Sequence, residues 1–265
     1  MTDEILDDML QKGLDLLENG DAKGAVKILK EYCSTHPALP DAWFYLGDAY
    51  AEDGCLDDAI AHYREGLKLI PDDADALTAL GDLLFEAGKH HDAIACYRKV
   101  LDFDPKDADA LVSIGLVYNS LERTKDAILA FHQALELEKD NVFAWNALGD
   151  ALYGEGDEQG AVDAYQKGIE LDPQDPAAHF NLGELFYDME ELDEAEAHCL
   201  EAIKLDPAHT MAYLTLGSIC MDQDLINEAI SYFKQYLKYE KSPQAAEMVA
   251  EVKAVIEGLK EELKV

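Results

Sequence analysis

Apolar residues along this chain fall into two helical stripes that alternate and recur. In the stretch 40–54, Trp43, Leu46, Gly47 and Tyr50 stand at i, i+3, i+4 and i+7, which is one face of a helix, and Gly54 breaks it. Ala59, Ile60, Tyr63 and Leu67 make the stripe of a second helix, which Pro71 and Asp72-Asp73 end. Two helices of about 13 residues joined by a short loop predict an antiparallel hairpin. The pattern repeats with a fixed period. Gly13, Gly47, Gly81, Gly115, Gly149, Gly183 and Gly217 are each 34 residues apart, as are Ala25, Ala59, Ala93, Ala127, Ala161, Ala195 and Ala229. No insertion interrupts either series.

A glycine inside a helix costs about 1 kcal/mol relative to alanine, so its recurrence calls for a return. Close approach of the two helices supplies one, with Gly47 and Ala59 at the crossing and Leu46, Tyr50 and Tyr63 filling around it. One hairpin cannot bury both of its faces, so neighbouring hairpins must stack. The expectation is an all-α chain: a lead over 1–5, then units 6–39, 40–73, 74–107, 108–141, 142–175, 176–209 and 210–243, and a different tail over 244–265. In that tail Met248, Val252, Val255, Leu259 and Leu263 follow helical spacing among charged residues. The stripe predicts a helix that caps the last unit, or alternatively a dimer seam.

Trp43-x2-Leu46-Gly47-x2-Tyr50, Ala59-x3-Tyr63 and Pro71 resemble the tetratricopeptide repeat pattern, over about nine tenths of the chain. That resemblance implies a right-handed α-solenoid, a superhelix of seven helix-turn-helix repeats plus a capping helix, and a protein-binding platform. The chain departs from the pattern at a few points. Lys12 stands where Leu46 or Ile114 stand in other units, as on an outer face without a neighbour, and Tyr236 replaces small residues such as Gly66 and Ala134. Asp224 and Glu122 replace loop glycines, and Lys139 replaces the closing proline of unit 108–141, which puts the local turn geometry in question there.

Charge narrows the partners. With 21 basic against 56 acidic residues the net charge is −35, so nucleic acid and anionic membrane surfaces are poor partners and a basic protein or peptide is a good one. No apolar run reaches membrane-spanning length, and the acids after Met1 do not suit a signal peptide, so a cytoplasmic protein, of prokaryotic type, is expected. The five cysteines, at 33, 55, 96, 199 and 220, are scattered and odd in number, as in a reduced chain without disulfides. Cys199 and Cys220 take packing positions.

Catalytic signatures are missing: there is no phosphate loop, no nucleophile elbow and no zinc-protease motif. Asp104, Asp107 and Asp109 sit at a unit junction, where aspartate caps helices, and lack the glycine and glutamate of a calcium loop. His90-His91 are placed in an inter-helix loop as a solvated pair, with Cys96 off any shared ligand face. The expectation is a non-enzymatic chain without catalytic residues, metal or cofactor.

Among the 98 positions that open the seven units, Lys12 is the single basic residue, where about eight would follow from the chain average. The family resemblance implies that these first helices line the concave side. Asp48, Asp82, Asp150 and Glu184 then form one column on it, Asp41, Asp75 and Asp109 another, and Glu52 and Glu86 a third. Phe44, Tyr45, Phe85, Phe143, Tyr153, Phe180 and Tyr187 share the face, with Asn146 and Asn181 in the later units. Such a groove suits a basic or basic-apolar peptide, with Asp41, Asp48, Glu52, Asp75, Asp82 and Glu86 as the cationic subsite and Phe180, Tyr187 and Tyr153 as the apolar one. The same acidity also fits solubility or a saline habitat. A carboxylate clamp, which some family members build from first-helix Lys and Arg, has no residues here to build it. The function expected is a scaffold or adaptor. A self-assembling structural protein and a chaperone-like holder of a secreted client are the alternatives, and the oligomeric state stays open.

Overall fold

The computed structural model describes residues 2–263, and every regular element among them is helical. The helices come in consecutive pairs: α1 (Thr2–Glu18) with α2 (Ala22–Thr35), α3 (Pro40–Glu52) with α4 (Leu56–Leu69), and α5 (Ala74–Glu86) with α6 (His90–Phe103). Next come α7 (Ala108–Ser120) with α8 (Thr124–Leu137), α9 (Val142–Glu155) with α10 (Glu158–Leu171), α11 (Pro176–Asp188) with α12 (Leu192–Leu205), and α13 (Thr210–Asp222) with α14 (Ile226–Tyr239). A 3-10 turn, Pro243–Ala245, leads into α15 (Ala246–Glu262). The chain forms two compact units, Met1–Glu138 and Lys139–Val265. Within each, the second helix of a pair packs on the first helix of the next: α2 on α3, α4 on α5 and α6 on α7 in the first, α10 on α11 and α12 on α13 in the second. This is the stacking of an α-solenoid.

Each hairpin is held by its periodic glycine and alanine. All seven alanines, from Ala25 to Ala229, are 0 % exposed. A Cβ on Gly81 would lie 2.5 Å from the Tyr97 ring, and Gly47, Gly115, Gly149 and Gly217 meet Tyr63, Phe131, Tyr165 and Phe233 in the same way. The second helix therefore lays a ring on the bare backbone of the first. Burying that ring gains about 1.5–3 kcal/mol, more than the glycine costs. In the pair α1–α2 the ring is replaced by Leu29, and in α11–α12 by Cys199, where a Cβ on Gly183 would lie 3.1 Å from the Cys199 backbone nitrogen itself.

The intra-hairpin loops share one geometry. Gly20, Gly54, Gly88 and Gly156 have φ of +70° to +85°, and at the equivalent positions Glu122, Glu190 and Asp224 have φ of 57°, 61° and 59°. The turn expected to change where glycine is missing thus stays left-handed. Its closing bonds hold it there: Glu122 N–H donates to the Asn119 carbonyl and Arg123 N–H to the Tyr118 carbonyl, both at 2.9 Å, as Gly54 and Cys55 do to Ala51 and Tyr50.

Three expectations are corrected. The lead is not separate from residue 2 on, because α1 begins at Thr2. His90 and His91 are not in a loop but open α6, the loop being only as long as Gly88 and Lys89 require. The stripe of α15 is rotated: Val252, Ile256 and Leu259 are buried against α14, whereas Met248, Val255 and Leu263 are exposed. A 3.6-residue period from Val252 passes through Ile256 and leaves the heptad-like series that includes Val255. Val265 at the end of the tail lies outside the described residues.

Further rings pack between the two helices of some hairpins. Trp43 and Tyr50 sandwich His62, with centroids 5.6 and 5.1 Å away. Between α11 and α12, His179 is buried with its Nδ1 3.2 Å from Nδ1 of His198, and Phe186 stacks on His198.

Two outcomes follow from this packing. Glu122→Gly should raise stability by about 0.5–1 kcal/mol in urea denaturation, because relief of left-handed strain exceeds the entropy glycine adds to the unfolded chain; a loss would mean the turn is not strained. The second concerns pH. Burial first, and then the neighbouring His179, hold His198 below the usual imidazole pKa. The unfolded chain takes up a proton at about pH 6.5 while the folded chain stays neutral, so stability is full above that pH and falls as pH drops below it. His198→Phe should flatten the fall between about pH 7.5 and 5.5, His62 and His209 keeping the remainder since both are held low by burial as well.

Candidate functional site

The first helices of the first unit carry a cleft of about 400 Å³ between α3 and α5. Asp41, Phe44, Tyr45, Tyr63, Asp73, Asp75, Ala76 and Ala79 line it. Pro40 starts α3 and puts Asp41 in its first turn, while Asp73 caps α5 by accepting the Ala76 N–H at 2.9 Å, which puts Asp75 one turn in. Asp41 and Asp75 are exposed, and no cation among the described residues pairs with either. The aromatic wall is fixed from below. The Phe44 ring lies on Gly66, which has no room for a side chain, and stacks with Tyr63 at 5.4 Å. The cleft therefore offers three carboxylates around a rigid aromatic surface, and two of its predicted acids and both of its predicted aromatics come together here. Tyr63, Asp73, Ala76 and Ala79 were missed, since a period along one helix does not reveal what the neighbouring helix and the junction contribute.

A second group of predicted acids has a structural task. Tyr63 donates its hydroxyl to Asp48, Tyr97 to Asp82 at 2.6 Å and Tyr165 to Asp150 at 2.6 Å, each from the second helix to the first of the same hairpin. Burial pushes the Asp48 and Asp150 carboxyls up, and the tyrosine bonds pull them part of the way back. The same burial, with the adjacent carboxylate, raises all three phenols. The internal repeats show Asp and Tyr occurring together: the other units hold Leu116 with Phe131, Ser218 with Phe233, Leu14 with Leu29 and, keeping a carboxylate without a tyrosine, Glu184 with Cys199. Aspartate never occurs without its tyrosine.

The remaining predicted residues divide. Glu52, Glu86 and Asp109 are exposed. Phe85 is half-buried beside His90, with centroids 5.6 Å apart. In the second unit Phe143 is 59 % exposed. Asn146 donates to Asp175 at 3.0 Å and packs over Gly168, as Phe44 does over Gly66. Asn181 reaches Asp150 at 3.3 Å. Tyr153 donates to Asp188 and Tyr187 to Asp222 at 2.9 Å, so each hydroxyl ties one first helix to the next. The Asp188 bond, the larger cause, and burial push the Tyr153 phenol up to about 12. Glu184 is raised by burial and then by Asp188. Phe180 is a correction: it is 9 % exposed, in a cluster with Cys199, Ala202, Ala212 and Leu216 and under the His209 ring, so it is core and not an open anchor.

No group of three or more His, Cys, Asp or Glu among the described residues is arranged to hold a metal ion. No helix among them is long and apolar enough to cross a membrane. All five cysteines are free thiols, and burial raises Cys33 to about 11 and Cys199 to about 12.

Helical hairpins that close on a helix glycine and stack, second helix on the next first helix, define a helical-repeat protein. Within that class, residues 47–88, 81–121 and 149–190 match the family described as TPR repeat. Residues 176–209, 108–141 and 212–243 match families described as tetratricopeptide repeat. The chain belongs to the tetratricopeptide repeat family. Among solved structures it is similar to a tetratricopeptide repeat protein from Parabacteroides merdae, 20% identical over 93% of this chain and 98% of that one, with a TM-score of 0.75. It is also similar to MamA, 30% identical over 60% of this chain and 94% of that one, with a TM-score of 0.56. YrrB, described as a TPR protein with an unusual peptide-binding site, is 22% identical over 71% of this chain and 97% of that one, with a TM-score of 0.53. No curated protein matches the chain.

The unit Leu116/Phe131 is a ready-made control for the Asp–Tyr pair. Tyr63→Phe should cost about 1–2 kcal/mol, because the half-buried Asp48 loses its donor. Adding Asp48→Leu, which copies Leu116 and Phe131, should recover most of that loss in a double-mutant cycle read by urea denaturation. Additive losses would show that the bond carries no coupling.

Proposed function

We propose that the chain is a non-enzymatic protein-interaction scaffold or adaptor whose first-helix face takes up a basic or basic-apolar peptide. The cleft between α3 and α5 carries the proposal: Asp41, Asp73 and Asp75 stand around Phe44, Tyr45 and Tyr63, in a setting without a cation. Lys or Arg heads can pair with Asp41 and Asp75 while their stems lie on the rings. Asp48, Asp82 and Asp150 shape the face through their tyrosines and are not the primary cation ligands. In the second unit Phe143, Tyr153 and Tyr187 offer ring surface for apolar positions of a ligand. Protein partners are what the tetratricopeptide fold supports in general, and the acidic cleft adds the charge of the partner.

A fluorescein-labelled peptide of alternating Lys and Leu tests this by stopped-flow anisotropy at low and high salt. Asp41→Asn with Asp75→Asn should slow association about fivefold at low salt and flatten the salt dependence, since unpaired surface charge acts mainly on the on-rate. Tyr45→Ala should speed dissociation about tenfold, as loss of an aromatic anchor does. An unchanged on-rate and salt slope in the double variant would sink the proposal.

A further inference from the structure

The opposite face of the same unit carries clefts of a different character. One lies between α4 and α6, with Leu77, Leu80 and Leu84 of α5 as its floor and Arg64, Lys68 and Lys99 on its rim. Another lies between α6 and α8, over Leu111, Ile114 and Tyr118 of α7, with Arg98 on its rim. The two are related by one repeat: Arg64, Leu67, Leu77, Leu80, Leu84, Asp92, Ala95, Cys96 and Lys99 of the first correspond to residues 34 further on in the second. A third hollow, lined by Ala95, Arg98, Lys99 and Arg123 and by one acid, Asp102, lies between them.

The clefts have a packing cause. Where Trp43 and His62 fill the junction between α2, α3 and α4, the equivalent positions here hold Leu77 with Cys96, and Leu111 with Ala130. Smaller side chains leave the junction open. The chain's three arginines, Arg64, Arg98 and Arg123, all border these openings. In a chain with 56 acids, neither Arg98 nor Lys99 is paired with a carboxylate among the described residues; Arg98 spends one donor on the Tyr118 hydroxyl at 2.8 Å. Arg64 pairs with Asp92 at 3.0 Å and Arg123 with Asp126 at 2.6 Å, but all four side chains are about half exposed, and such pairs exchange readily.

We infer that this second-helix face is a docking surface for an acidic-apolar segment of a partner protein. Apolar side chains enter the two leucine-floored clefts, and carboxylates meet Arg98 and Lys99 between them. Charge complementarity selects the occupant: across the three openings Arg64, Lys68, Arg98, Lys99 and Arg123 outnumber Asp92, Asp102 and Asp126, an excess of cations in a strongly acidic chain that disfavours a basic segment. The surface is distinct from the acidic cleft of the first-helix face, so the chain could hold two partners of opposite charge at once.

The probe is a fluorescein-labelled peptide of alternating Glu and Leu, with alternating Gln and Leu as the control. Wild type should bind the Glu peptide at least about tenfold more tightly than the control. Arg98→Gln with Lys99→Gln should remove most of that preference. Ala95→Trp, at an exposed position on the rim, should block binding with the melting temperature unchanged. Asp41→Asn with Asp75→Asn should leave it intact, which separates this surface from the acidic cleft. Equal binding of the two peptides, or binding indifferent to the Arg98 and Lys99 change, would overturn the inference. So would concentration-dependent growth in mass that Ala95→Trp abolishes, which would make a second copy the occupant, or preferential binding of a labelled single-stranded oligonucleotide.

Discussion

The hairpins depend on one contact, a side chain of the second helix, a ring in five of the seven pairs, laid on the bare backbone of the first. Gly81 against Tyr97 shows its terms: a Cβ at 2.5 Å from the ring leaves no tolerance for a side chain. The 0 % exposure of Ala93 shows the other side of the crossing, where a methyl is the most that fits. With both positions fixed, the two helices meet at a set distance, and a one-residue insertion would turn every later side chain by about 100° around its helix. The uninterrupted period of 34 is thus a packing requirement, and it explains why the left-handed loop survives at Glu122, Glu190 and Asp224 despite its cost. A change of loop would shift the ring off its glycine.

What can vary is whatever lies beside the contact, and it varies in pairs. Asp48 and Tyr63 are fifteen residues apart and belong to different helices, yet they are replaced together by Leu116 and Phe131. A tyrosine over the glycine needs a partner for its hydroxyl, and a phenylalanine makes a carboxylate at that place a desolvation cost without return. The junctions follow the same logic on the other face, where Trp43 with His62 fills space that Leu77 with Cys96 leaves open.

The helices, the period, the family and the scarcity of cations on the first helices, where Lys12 stands alone, were legible in the sequence because each can be read along one chain segment. The roles of the acids were not. Helical periodicity places Asp48, Asp82 and Asp150 on the first-helix face but does not show the tyrosines that reach them from the second helix. A comparison of the repeats with one another carries that signal, since aspartate occurs only with tyrosine. Phe180 was misjudged for a related reason. Its helix face is the one that carries Phe44, but Leu216, Ala212 and the His209 ring of the next hairpin cover it. Burial across a junction depends on the sizes of both neighbours, and those do not repeat with the glycines. The tail misled through period, because Val252 and Leu259 lie on both the 3.6 and the 3.5 series, and Ile256 alone separates them.

The net charge of −35 says less about recognition than where on the surface the charges without a structural partner stand. Many carboxylates are occupied: Asp21, Asp73, Asp107, Asp157 and Asp175 cap helices, and three more hold tyrosines. Among the charges without such a task are Asp41 and Asp75 on one face and Lys99 on the other, where Arg98 beside it spends one donor on the Tyr118 hydroxyl. At physiological salt the Debye length is about 8 Å, and a helix with its side chains is about 10–12 Å across. A charge on the first-helix face is therefore largely screened from a ligand on the second-helix face of the same hairpin. Each face presents its own unpaired charges to solution, and a strongly acidic chain can keep a basic surface on its other side.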